Sequence, residues 1–188
     1  MPGPLARAAL TAETVTRAIE TGAMVLSALS VVAITLIVCT EVLLRTGFGI
    51  STLISAEFAG YLLAANVYLG LAWTFRDGGF IRVELLHGRL HGRGLAAVNL
   101  VLAAVACLVF AIYTRYLAGF VSQSYHAGTT SIFITRTPLW IPQLVMPVGA
   151  ALMTWTFFTT TLRAACGLVD PALIEEAAPA DAAEAGAL

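Results

Sequence analysis

The sequence predicts an all-α membrane protein with four transmembrane helices. Two observations carry this. Apolar residues make up 59% of the chain and charged residues only 11%, where a soluble domain carries about 25% charged. The few charges divide the chain into four uncharged windows, 21–40, 58–75, 94–114 and 137–162. A spanning helix needs roughly 20 apolar residues, because each adds about 1.5 Å across a hydrocarbon core of about 30 Å. With a few flanking residues for the shortest, every window meets that length. In lipid the backbone must pair its own N–H and C=O groups, so each span should be helical.

The first window lies between Glu20 and Glu41. Its apolar run is long and no small-x-small cleavage site follows, so it reads as a span and not as a signal peptide. The second lies between Glu57 and Arg76, the third between Arg93 and Arg115. The fourth opens on Pro138, Pro142 and Pro147. Proline fixes φ and lacks an N–H, so an irregular or re-entrant approach is expected over 137–147, with the regular span nearer 143–164. Trp140 fits an interfacial anchor, as do Arg76 and Arg163 at the ends of spans two and four.

These windows give three parts: an N-terminal segment 1–20, a four-helix membrane domain 21–165, and an acidic, Ala-rich tail 166–188. Asp170-Pro171 could cap a short helix, and 177–188 reads as disordered. The N-terminal segment and the loop between spans two and three leave room for short interfacial helices. In that loop Val83, Leu86 and Leu90 share one helical stripe, with Arg82 and Arg89 off it. All ten basic residues are Arg. With four spans, Arg7, Arg17, Arg76, Arg82, Arg89, Arg93 and Arg163 share one side, and Arg45, Arg115 and Arg136 the other. The positive-inside rule then puts both termini and the 76–93 loop in the cytoplasm.

The candidate functional residues are charges at the opposite boundary. Glu41 and Arg45 are four apart at the end of span one, so they share a helix face and can pair. They could anchor a partner, or Arg45 could snorkel to headgroups. Glu57 opens span two, where a helix N-terminus favours an anion, with Ser51, Thr52 and Ser55 as cap candidates. Only eleven residues, 46–56, separate Arg45 from Glu57. A single cluster of Glu41, Arg45 and Glu57 is therefore expected at this boundary, with its surplus negative charge available to a partner. Asn66 lies deeper and should bond a neighbouring helix.

Other chemistries lack residues. The formal net charge of −1 gives no reason to expect nucleic acid. Cys39, Cys107 and Cys166 are scattered and read as small buried hydrophobes. A haem anchor for a redox enzyme needs facing His inside spans, whereas His87, His91 and His126 fall in loops. His87 and His91 alone are too few for zinc. No catalytic set can be assembled, so neither enzyme activity nor a cofactor is expected. A stand-alone four-span carrier needs a midplane carboxylate, which no window supplies.

The stretch Glu41-Val-Leu-Leu-Arg45, then Glu57, Gly70 and Arg76, resembles the small permease (DctQ-type) subunit of tripartite ATP-independent periplasmic (TRAP) transporters. The segments Gly128-Thr-Thr-Ser131, Thr137-Pro-Leu-Trp-Ile-Pro142 and Met146-Pro-Val-Gly149 look like that family's approach to its fourth span. The resemblance covers roughly residues 20–165. Phe80-Ile81 stands where many members have a His-Ile pair. The resemblance implies a multi-pass protein of the bacterial inner membrane. It would pack against a large permease subunit and enlarge its scaffold. A periplasmic solute-binding protein would deliver an organic acid, and uptake would run on an ion gradient, with sodium as the expected ion. Substrate identity would then rest with the binding protein and the large subunit.

Overall fold

A computed structural model describes residues 4–77 and 93–169. Arg82, Arg89, His87, His91, Phe80-Ile81, the 81–90 stripe, Asp170-Pro171 and the 177–188 tail lie outside the described residues. So do the side chains of Arg7, Arg93, Arg163 and Cys166.

The described chain is helical. Helix α1 runs Pro4–Phe48, α2 Ser55–Arg76 and α3 Arg93–His126; a single turn, α4, covers Trp140–Gln143, and α5 runs Val145–Val169. Four segments are long and apolar enough to cross a membrane: Val15–Phe48, Ser55–Arg76, Ala97–His126 and Trp140–Leu162. Residues 4–20 continue into the first span without a break, so α1 is 45 residues long. At about 1.5 Å per residue it measures about 68 Å, roughly twice the hydrocarbon thickness.

The helices stop where sequence chemistry stops them. Gly49 takes φ 67° after α1, and Gly128 takes φ 61° after α3. Both are left-handed conformations that glycine adopts without strain. At the end of α3 the Gly128 N–H donates to Tyr125 O at 3.1 Å and the Thr129 N–H to Ser124 O at 3.2 Å. That is the Schellman pattern, which satisfies two terminal carbonyls. The irregular approach expected at 137–147 is present. Thr130 pairs with Pro138, one helical turn follows, and α5 starts after Leu144 with Pro147 in its first turn.

The helices pack in the order α1, α2, α5, α3, so α2 and α5 are central. The flanking α1 and α3 carry the more apolar windows, and the central pair the less apolar ones. This follows from their surroundings, since lipid tolerates only apolar side chains while a neighbouring helix can satisfy polar ones. Small residues let the helices approach. A Cβ on Gly149 would fall 2.3 Å from Tyr68 O, so α5 touches the backbone of α2 there. At Gly70 the nearest atom would be Ser27 Oγ, 3.1 Å away.

Ala72, Met153 and Phe157 form the core, with Phe75 and Phe110 packed on it. The Phe157 ring lies 4.6 Å from that of Phe75 and 5.3 Å from that of Phe110. Polar pairs tie the row further. Asn66 bonds across helices as expected, its Oδ1 2.7 Å from Ser27 Oγ. The hydroxyls of Tyr68 and Tyr113 are 2.6 Å apart, and those of Thr114 and Thr154 3.1 Å apart. Cys39 is exposed on α1, not buried as its apolar setting implied, because α1 is a flank of the row. Cys107 is half-buried, with its thiol 3.8 Å from Thr154 O.

Candidate functional site

Most charged side chains of the described helices lie toward the two ends of the helix row; Arg115, exposed on α3 next to Thr114, which meets Thr154, lies between them. On α1, Glu20 and Glu41 are separated by about 31 Å along the axis, which matches the hydrocarbon core. On the antiparallel α2, Glu57 and Arg76 are separated by about 28 Å. Glu20 and Arg76 thus share the end at which α1 begins and α5 ends, called the terminal end below. Glu41 and Glu57 share the end that carries the α1–α2 and α3–α4 loops.

At the terminal end Arg76 Nε lies 2.8 Å from Glu20 Oε2. Glu20 is buried, at 1% exposure. Its other oxygen accepts from Thr156 Oγ1 of α5 at 2.5 Å. One turn earlier on α1, Thr16 Oγ1 accepts from Trp155 Nε1 at 2.9 Å. These contacts join α1, α2 and α5 through one carboxylate. Arg76, at the end of α2, gives the buried Glu20 the cation that a carboxylate at this depth requires. Sequence reasoning missed Glu20, Thr16, Trp155 and Thr156 as members of a site. The available signal was depth: Glu20 begins one apolar window and Arg76 ends the next, so an antiparallel pair sets them side by side.

At the loop end the expected single cluster resolves into two. Glu41 accepts from Ser51 Oγ at 2.6 Å, from the Thr52 N–H at 3.2 Å and from the Thr52 hydroxyl. Ser51 and Thr52 therefore do not cap α2. Its N-cap is Ile54, with no side-chain cap bond. Glu57 sits in the first turn of α2 and is buried, at 3% exposure. It accepts from Tyr61 Oη at 2.8 Å and from the Thr135 hydroxyl, whose oxygen accepts in turn from Thr137 Oγ1 at 3.1 Å. The Tyr61 and Thr135 hydroxyls take the place of the cation expected from Arg45.

Arg45 is exposed and makes no salt bridge among the described residues. It lines an open pocket of about 420 Å³ with Glu41 and Ser51, but Glu57 is not part of that lining. The reason is local. The Ser/Thr-rich loop folds back through Ser131 N–H to Thr137 O at 2.9 Å and Leu139 N–H to Thr129 O at 3.1 Å, which presents its hydroxyls to α2. Trp140 is half-buried, its ring 5.5 Å from that of Tyr125 at the end of α3. Arg163 lies on α5.

Each buried carboxylate is thus held by groups of its own chain. The arrangement fixes helices and loops, and among the described residues no group of three or more His, Cys, Asp or Glu could hold a metal. A family model described as "Tripartite ATP-independent periplasmic transporters, DctQ component" matches residues 34–167. The matched segment contains Glu41, Arg45, Glu57, Arg76 and Thr156; Glu20 precedes it. No curated protein and no solved structure matches the chain.

Proposed function

Because the chain belongs to the DctQ family, whose members are components of tripartite ATP-independent periplasmic transporters, we propose that it is the small membrane subunit of such a transporter. In this reading it packs on a large permease subunit and widens the part that stays fixed during transport. A periplasmic solute-binding protein delivers an organic acid, and an ion gradient, with sodium the expected ion, drives its uptake. The chain is a multi-pass membrane protein and a transporter component. We place it in the bacterial inner membrane with both termini cytoplasmic.

One observation supports a scaffold role above the others. Glu20 and Glu57, the two buried acids among the described residues, are engaged by Arg76, Thr156, Tyr61 and Thr135, all from this chain. A coupling-ion site needs groups that bind and release their ion, whereas these groups close on one another. The flanks α1 and α3 meanwhile offer long apolar faces, including Leu36, Leu43, Leu108 and Val109. Such faces suit packing on another membrane protein or on lipid.

The experiment is reconstitution in liposomes under a sodium gradient. The chain alone should take up no organic acid, and the chain with its large subunit and binding protein should. Uptake by the chain alone would overturn the scaffold reading. Reporter fusions at residue 188 and in the 46–56 loop should give opposite signals, which checks the orientation.

A further inference from the structure

The Arg45 pocket has a use that the scaffold role does not explain. Its polar lining is Glu41, Arg45, Ser51 and Ser55, and its apolar lining includes Leu53 and residues 132–134. Ile132 is 98% exposed and Ile134 73%. Loop isoleucines left open beside one acid and one base are costly in water and favourable at a lipid headgroup boundary. The pocket lies at that depth, because Glu41 stands one hydrocarbon thickness, about 31 Å, along α1 from Glu20.

We propose that this pocket is a phospholipid site for phosphatidylethanolamine. Arg45 supplies a planar guanidinium for the phosphodiester, a geometry it can meet with two donors. Glu41 carries the opposite charge and draws the ammonium group. Its bonds to Ser51 and Thr52 orient the carboxylate without cancelling that charge. Leu53, Ile132 and Ile134 receive the glycerol and the first acyl carbons. One unit of each sign selects a zwitterion over an anionic headgroup, which Glu41 repels. A headgroup that donates hydrogen bonds is selected over a quaternary one, because Glu41 and Ser55 can accept. The inference does not depend on the proposed subunit role, since it concerns this chain and lipid alone.

The test uses the full chain in nanodiscs of equal phosphatidylethanolamine, phosphatidylglycerol and phosphatidylcholine. The retained lipid is counted by native mass spectrometry after mild detergent release. Wild type should retain phosphatidylethanolamine preferentially. Arg45→Gln should lower that retention about tenfold, the net effect of losing one hydrogen bond to a charged group. Glu41→Gln should shift the preference toward phosphatidylglycerol. Because Glu41 also holds the 51–52 loop, Ile132→Asn provides an independent check; it changes neither charge and should reduce retention too. Equal retention in wild type and Arg45→Gln would overturn the proposal, as would preference for phosphatidylglycerol in wild type. Loss of the bound lipid when a membrane partner is added would also overturn it, by showing that the pocket is a protein interface.

Discussion

At the terminal end of the helix row a buried glutamate meets an arginine; at the loop end two glutamates meet hydroxyls and amides, while an arginine stays exposed beside them. The two solutions serve different purposes. Glu20 and Arg76 join helices that are already neighbours, so their charges cancel inside the molecule. Glu41 and Glu57 fix short loops, and hydroxyls do so without removing the charge. The Glu20–Arg76 pair is therefore electrostatically closed, whereas at the loop end Arg45 is exposed and unbridged among the described residues.

The largest expected effect tests the closed end. Arg76→Ala leaves Glu20 buried at 1% exposure without its cation. Breaking a buried pair by removing one partner costs about 3 kcal/mol or more. Replacing both groups, in Glu20→Gln/Arg76→Gln, should recover much of that loss because no lone charge is left behind. The measurement is thermal unfolding in detergent, followed by tryptophan fluorescence. A single variant as stable as wild type would show that the terminal end is as open as the loop end, and the comparison would fail.

A second prediction sets a scale between the ends, at a contact without charge. Gly149→Ala puts a Cβ where Tyr68 O is only 2.3 Å away. Helices α2 and α5 must separate, at a cost of about 1–3 kcal/mol, typical of overpacking. Gly70→Ala should cost less, because its nearest neighbour is the Ser27 side-chain oxygen at 3.1 Å, which can move. Reversal of that order in the same unfolding assay would show that α1–α2, not α2–α5, is the tighter seam.

Much of this architecture was legible in the sequence, for a definite reason. Unpaired charges are costly in hydrocarbon, so the uncharged windows locate the four spans, although the third helix runs on past Arg115 to His126. Pro138, Pro142 and Pro147 announce the broken approach to α5, and Asn66 announces a cross-helix bond. The seams between helices were not legible. In a soluble helix apolar spacing shows which face is buried. In lipid both the packed and the open faces are apolar, so periodicity does not separate them. The Glu20–Arg76 pair was hidden for a related reason: each residue served as a window boundary, and only the antiparallel register of α1 and α2 brings them together. The Ser131–Thr137 hydroxyls were hidden because no spacing rule says that a loop will fold back onto the first turn of α2.

The smallest expected effect concerns Arg45 and Glu57, whose proximity along the chain favours coupling while their observed partners do not. Glu57 is engaged by Tyr61 and Thr135, and Arg45 is exposed in a pocket that Glu57 does not line. Arg45→Ala should barely move the melting temperature, as for most exposed substitutions. Glu57→Ala should lower it and speed hydrogen exchange over residues 131–137, because Thr135 and Tyr61 lose their acceptor. Sites that share no partner add, so the shift of the double variant should equal the sum of the single shifts to within about 1–2 °C. A double variant no worse than Glu57→Ala alone, combined with a clear loss in Arg45→Ala, would mean that the guanidinium does support the buried carboxylate. The loop end would then be closed like the terminal end, and the charge attributed to lipid or partner would already be spent within the chain. Additive shifts would leave Arg45 free for a ligand, the condition under which the lipid measurement has its meaning.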